Sequence, residues 1–436
     1  MEPFVVGILA IVVLVVMLFL GFHVFVAMGL VGFVGFYLIT GNLSGAGTLA
    51  SSTAYSVGAT YEFSVIPLFI LLGMVIYESG MATNIYEAMY RWVGRLPGGL
   101  AIATTFAVAF FSAVSGSSLA CAVTFSKLAI PEMVKRGYHK GLACGMVAGA
   151  ATQDSLIPPS ALLVIYAILT EQSIGKCLMA GMLPGLLSCL LYAGAEYVIA
   201  KMKPDWMPRG PSFTLKEKME SLRGAWQIPL LAILVLGAIY TGVCTPTEAA
   251  AFGTFMAMVI ALWAVGLVRL KLPQSLRNTV TSSAFIYAIL IGAFIFSSFM
   301  AVSRIPTQMS DFIKAAEVSR EMVLFIIIVI YTILGCFMSA TAMVVVTMPI
   351  FFPIMMSLGY DPVWFGVIVV KMAGIGMLTP PVGLSVYAVK ATVGDLVKLE
   401  EVFKGAMIFL VMDYVALALI IYWPWLSLFL PNMMVK

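Results

Sequence analysis

Two adjacent proline pairs interrupt long apolar runs: ACGMVAGAATQDSLIPPSALLVIYAILT around Pro158-Pro159, and GVIVVKMAGIGMLTPPVGLSVYAVKAT around Pro380-Pro381. Each pair removes two helical donors. Carbonyls one turn earlier, at Asp154 and Ser155 or at Gly376 and Met377, are then expected to lose their helical partners and become oxygens suited to a hard cation. Proline also opens helices well, so a second half-helix is expected near Pro158 or Pro380, its free N–H groups and positive dipole end suited to a carboxylate. Two further segments join apolar limbs through a small polar tip: SAVSGSS (112–118), then CFMSATA (336–342). At the first tip Ser115, Gly116, Ser117 and Ser118 supply hydroxyls and close backbone approach. Such irregular backbone is tolerated at membrane depth where protein or an aqueous cavity satisfies it. This favours a re-entrant hairpin, with a small-residue helix-packing face as the alternative.

Charged side chains inside these runs carry a second kind of chemistry. Asp154 and Lys371 lie far from any loop, and an unpaired Asp or Lys at mid-membrane costs about 2.5–3.5 kcal/mol. A partner or a water-filled cavity is therefore expected. Either Lys371 meets an anionic substrate or stands in for a sodium ion, or Asp154 and Lys371 pair with each other. Glu196, Glu248 and Asp413 read as embedded carboxylates that could form a proton path, with helix-packing hydrogen bonds or interface positions favoured for each.

The elements that hold these residues are set by composition. Of 436 residues 62% are apolar and 10% charged, and the mean hydropathy is +1.07, values that call for a bilayer as solvent. The chain offers about a dozen apolar stretches near the roughly 20 residues that a spanning helix needs. Six cysteines stand singly in apolar surroundings with no CxxC spacing, which excludes a zinc or redox site. No HExxH, GxSxG or paired aspartates support an intramembrane enzyme. Basic residues are scattered among loops, which gives no nucleic-acid surface. Most of the 24 Lys and Arg fall in segments that become cytoplasmic when the N-terminus is outside.

The two halves repeat at an offset of 222 residues. Pro131, Gly137, Tyr138 and Pro158-Pro159 recur as Pro353, Gly359, Tyr360 and Pro380-Pro381. The turn VKRGYHK is basic, whereas its mate MSLGYDP has one aspartate and no basic residue, so the repeats are expected to be inverted across the membrane. That places a first repeat at 1–200, with hairpin 98–133 and broken helix 141–171. A polar, proline-rich cytoplasmic linker follows at 201–224. A second repeat spans 225–436, with hairpin 321–357 and broken helix 362–393. Inverted repeats with broken helices are the architecture of secondary transporters.

The motifs GRLPGGLAIA (94–103), SGSS (115–118), AIPEM with RGY (129–138), LIPPS (156–160), YAILTEQSIGK with LMAG (166–181) and LTPPVG (378–383) together resemble the large membrane subunit of tripartite ATP-independent periplasmic (TRAP) transporters, over nearly the whole chain. The resemblance implies an all-α, elevator-type transporter of the bacterial inner membrane. It implies import of a carboxylate or similar organic acid with sodium as coupling ion and no other cofactor. The implied partners are a small membrane subunit of about four helices and a periplasmic solute-binding protein. The family's ion sites carry over onto Ser115, Gly116, Ser117 and Ser118 with Gly149, Thr152, Asp154, Ser155 and Pro158. In the second half they fall on Ser339 and Thr341 with Gly374, Gly376, Met377 and Thr379. Substrate contacts fall on Ser117, Ser118, Pro159, Ser160, Thr341, Pro381 and Lys371. The chain departs from the family pattern at Gln153, Asp154 and Lys371. A self-sufficient sodium/dicarboxylate symporter is the alternative, and it would need no binding protein.

Overall fold

The computed structural model describes residues 2–115, 118–269 and 271–434, and among these it contains α-helices and short 3-10 turns but no strand. The first half runs α1 (Pro3–Phe19), α2 (Val24–Thr40), α3 (Leu43–Ala59), α4 (Val65–Glu78), α5 (Met81–Val93), α6 (Gly99–Ser115), α7 (Ser118–Lys135), α8 (Lys140–Ala151), α9 (Ala161–Leu169) and α10 (Ile174–Met202). After α11 (Leu215–Ala225) come α12 (Gln227–Tyr240), α13 (Pro246–Arg269), α14 (Leu272–Ser303), α15 (Ile305–Ala315), α16 (Arg320–Gly335), α17 (Ala340–Ser357), α18 (Pro362–Gly376), α19 (Leu384–Val393), α20 (Leu399–Tyr422) and α21 (Trp425–Met433). The order of elements recurs with the spacing seen in the sequence. Ser118–Lys135 and Ala340–Ser357 start and end 222 positions apart, and α5, an amphipathic helix, is matched by the amphipathic α15.

Among the described residues, six helices are long and apolar enough to cross a bilayer, or seven if α11 and α12, bent by 56°, form one span. The broken elements do not qualify singly. At about 1.5 Å per residue, the 12 residues of α8 cover about 18 Å of a core about 30 Å thick.

Three elements differ from the sequence reading. α3, LSGAGTLASSTAYSVGA, lies in a stretch with too few large apolar residues to register as a helix, and Asn42 opens it by accepting from the Gly45 N–H at 2.9 Å. The linker 201–224 is not all loop. Thr214 and Glu217 form a capping box, each side chain taking the other's backbone N–H, and α11 grows from it. Glu248 is not packed between helices: it is exposed and forms the equivalent box with Thr245 at the start of α13, in keeping with an interface position rather than a helix-packing one.

Between helices in lipid the hydrophobic effect supplies little, so packing of small residues decides which helices meet. A Cβ on Gly32 would strike the backbone of Ile295 and Phe296, and one on Gly292 would strike that of Phe25, so α2 and α14 touch backbone to backbone. Gly141 and Gly145 of α8 seat against Glu401, Gly405 and Ala406 of α20 in the same way. The core formed around this seam buries α8 and α18 along nearly their whole length.

Candidate binding site at two facing helix breaks

The first break follows α8 as a 3-10 turn, Thr152–Ser155, then runs through Pro158-Pro159 to α9. Its hydroxyls fold back on its own backbone. Thr152 Oγ1 donates to the Gly149 carbonyl (2.8 Å), Ser155 Oγ to the Thr152 carbonyl (2.7 Å) and Ser160 Oγ to the Ser155 carbonyl (2.5 Å). The Ser155 carbonyl is thus not left bare, contrary to the expectation from the proline pair, because Ser160 replaces the missing helical donor. Ser160 also caps α9, accepting from the Leu163 N–H at 3.4 Å. The half-helix therefore begins at Ala161, and Pro158 and Pro159 belong to the connecting turn.

The second break is built alike from different residues. Thr379 Oγ1 donates to the Ile375 carbonyl (2.8 Å), the Thr379 N–H to the Gly376 carbonyl (3.2 Å) and the Ser385 N–H to the Met377 carbonyl (3.1 Å). The carbonyls of Gly376 and Met377 are accordingly engaged, and α19 starts at Leu384 after Gly383, beyond Pro380 and Pro381. Gly383 has φ +51°, in the left-handed region that glycine enters without penalty. Both Pro-Pro bonds are cis.

The two breaks face each other. A Cβ on Gly374 would lie 2.9 Å from Ser155 Oγ and 3.4 Å from the Thr152 carbonyl oxygen, so only glycine lets α18 approach the first break this closely. Each break also receives a neighbouring helix pair. Ser118, the first described residue of α7, donates its hydroxyl to Asp154. Cys336, between α16 and α17, donates its Sγ–H to the Pro380 carbonyl at 3.0 Å, while Gly335 and Gly376 abut so closely that neither admits a Cβ. Thr341 is half-buried, and Ser339 is exposed, its Oγ accepting from the Ala342 N–H to cap α17. α6 ends at Ser115, and Gly116 and Ser117 lie outside the described residues.

The charges are arranged otherwise than the sequence suggested. Lys371 does not pair with Asp154. Its ammonium is buried and donates to Asp413 Oδ1 (2.7 Å) on α20 and to Ser188 Oγ (2.9 Å) on α10. Tyr192 donates to Asp413 Oδ2 (2.9 Å), and Gln153 Nε2 reaches Asp413 Oδ1 at 3.5 Å. Glu196 accepts from Thr105 Oγ1 (2.6 Å), leaving its other oxygen buried without a partner. Ser188, Tyr192 and Ser385 were not singled out in the sequence, where a serine or tyrosine in an apolar helix carries no signal of its own. The buried Ser385 Oγ has no partner. No group of three or more His, Cys, Asp or Glu able to hold a metal occurs among the described residues.

The chain matches the family described as "Tripartite ATP-independent periplasmic transporter, DctM component" over residues 11–426. This chain belongs to that TRAP transporter family. It is 36% identical over 373 residues to the C4-dicarboxylate TRAP transporter large permease protein DctM of Pseudomonas aeruginosa, covering 85% of this chain and 86% of that one. It is 30% identical over 398 residues to the sialic acid TRAP transporter large permease protein SiaM of Vibrio cholerae, covering 91% and 92%. Among solved structures the fold is similar to MtrF of Neisseria gonorrhoeae, with a TM-score of 0.62 at 13% identity, covering 88% of this chain and 85% of that one. As a TRAP permease the chain is a multi-pass membrane component of a tripartite transporter.

Proposed function

We propose that this TRAP permease imports a small organic anion bearing a carboxylate or similar acid group across the bacterial inner membrane, driven by sodium. The observation that carries the reading is the meeting of the two breaks, with Gly374 against Thr152 and Ser155, and Ser118 and Cys336 reaching in from the flanking pairs. Many carbonyls and hydroxyls converge there, the donor set of a monovalent hard cation. Both similar permeases named above handle carboxylic acids. In this reading the hairpins α6–α7 and α16–α17 are re-entrant, and the two repeats are inverted, with the N-terminus periplasmic. The breaks move with the hairpins as one body against the remaining helices, in the manner of an elevator. A small membrane subunit of about four helices and a periplasmic solute-binding protein complete the system.

The test is reconstitution of the chain in liposomes under an inward sodium gradient, with C4-dicarboxylates and sialic acid as probes. Uptake is expected only when the small subunit and the binding protein encoded with it are present. Uptake by the chain alone would favour a self-sufficient symporter. Uptake indifferent to sodium would overturn the coupling ion.

A further inference from the structure

The Lys371 network spans four elements that have no contact in sequence. The ammonium of α18 sits between Asp413 of α20 and Ser188 of α10, and the side chains of Lys371 and Asp413 are only 4% and 1% exposed. Tyr192 holds the second Asp413 oxygen, and Gln153, between Thr152 and Asp154 in the first break, approaches the first. The Gln153 Oε1 is buried with no partner. The ammonium thus meets one carboxylate oxygen and one serine hydroxyl, and the carboxylate is itself held by donors from Tyr192 and Gln153.

The repeat places a different filling at the matching position. The position 222 residues earlier is Gly149, which faces the same two helices, α10 and α20. A Cβ there would lie 2.8 Å from Phe409 Cβ and 3.2 Å from Tyr192 Cε2, so ring packing fills the equivalent space. One half closes this space with aromatic carbon and the other with a cation. A buried ion pair adds little net stability over an apolar filling of equal shape, because desolvation offsets attraction. What an ammonium adds is direction, since its three donors fix where surrounding oxygens must stand.

We propose that Asp413 and Ser188 form a cage for a monovalent cation, with Asp413 held in place by donors from Tyr192 and Gln153, and that Lys371 supplies the occupant permanently, as a covalently tethered cation. The bound ammonium holds α18 against α10 and α20 and passes that position to the first break through Gln153. Lys371 is on this account a positioning residue that touches neither substrate nor coupling ion. The cage goes beyond the import reading, because its first readout is protein stability and needs no substrate.

The full chain in nanodiscs is heated with ammonium, methylammonium, sodium or choline chloride. Lys371→Ala opens the cage, so its melting temperature is expected to rise by about 3 °C or more with a small cation and not with choline. Wild type and Lys371→Ala/Asp413→Asn should not respond. No response in Lys371→Ala, or an equal response to choline, would overturn the cage. Should Lys371→Ala fail to fold, the apolar Lys371→Met/Asp413→Leu pair still decides. Both charges are replaced without leaving one unpaired, so this variant should fold, yet lose uptake by about tenfold or more. Wild-type uptake by that pair would mean that any filling suffices and would sink the positioning role. Absence of sodium-driven uptake in wild type would count against the import reading alone, with the melting series still deciding the cage.

Discussion

At Gly374 a single hydrogen in place of a methyl sets how close two breaks come. Gly374→Ala would push its Cβ to 2.9 Å from Ser155 Oγ, tighter than carbon and oxygen allow, and displace the hydroxyl from the Thr152 carbonyl. Overpacking of this sort costs about 1–3 kcal/mol. Uptake is expected to fall in Gly374→Ala and to recover in part in Gly374→Ala/Ser155→Ala, where removing the hydroxyl makes room. The check is a double-mutant cycle on uptake. Additive losses would show that the two residues do not press on each other. Ser118 and Asp154 are coupled in another way. Ser118→Ala would remove the hydroxyl that Asp154 accepts from, and a buried carboxylate short of a donor is destabilising.

Helix α11 shows how a short element can be started by its cap. Its start rests on the Thr214–Glu217 box, and the backbone and side chain of Thr214 hold the Glu217 carboxyl below its usual 4.5. A depressed carboxylate stabilises the folded form above that value and stops doing so as pH falls through the depressed one. Hydrogen exchange of the α11 amides is therefore expected to accelerate as pH is lowered below the usual glutamate range, after correction for intrinsic rates. Thr214→Ala should bring the faster exchange to neutral pH, and unchanged exchange in that variant would remove the box as the cause. The box was legible, since TLKE fits the S/T-x-x-E pattern, but lysines and prolines around it favour a loop by composition. The proline pairs and their spacing were legible too, because a doubled proline in an apolar run has no neutral explanation. Lys371 gave its burial away but not its partner. Asp413 lies 42 residues on, upon another helix, and the rotation of α18 and α20 that brings the two together is set by side-chain packing that no local pattern reports.

Across the whole molecule the repeat explains most of the architecture, and the linker is what joins its halves. That linker is fastened down along its length. The His139 N–H donates to the Trp206 carbonyl (2.9 Å) beneath stacked rings, Lys203 lies 3.8 Å from the centre of the Trp206 ring, and the Gly210 N–H donates to the Gly94 carbonyl (3.0 Å). Arg91 and Trp92 on α5 then donate to the carbonyls of Glu217 and Lys218, at 3.4 and 3.2 Å. Beneath it α10 packs on α20 and α18, so the halves share far more than a strand of chain. The peptide bond between them is thus redundant, a seam already riveted on both sides. Trypsin cutting at the exposed Arg209 should leave two fragments that co-elute, and genes encoding 1–209 and 210–436 separately should assemble a working permease in the cell. Two proteins translated apart would then find each other through the same surfaces that join the two halves of one.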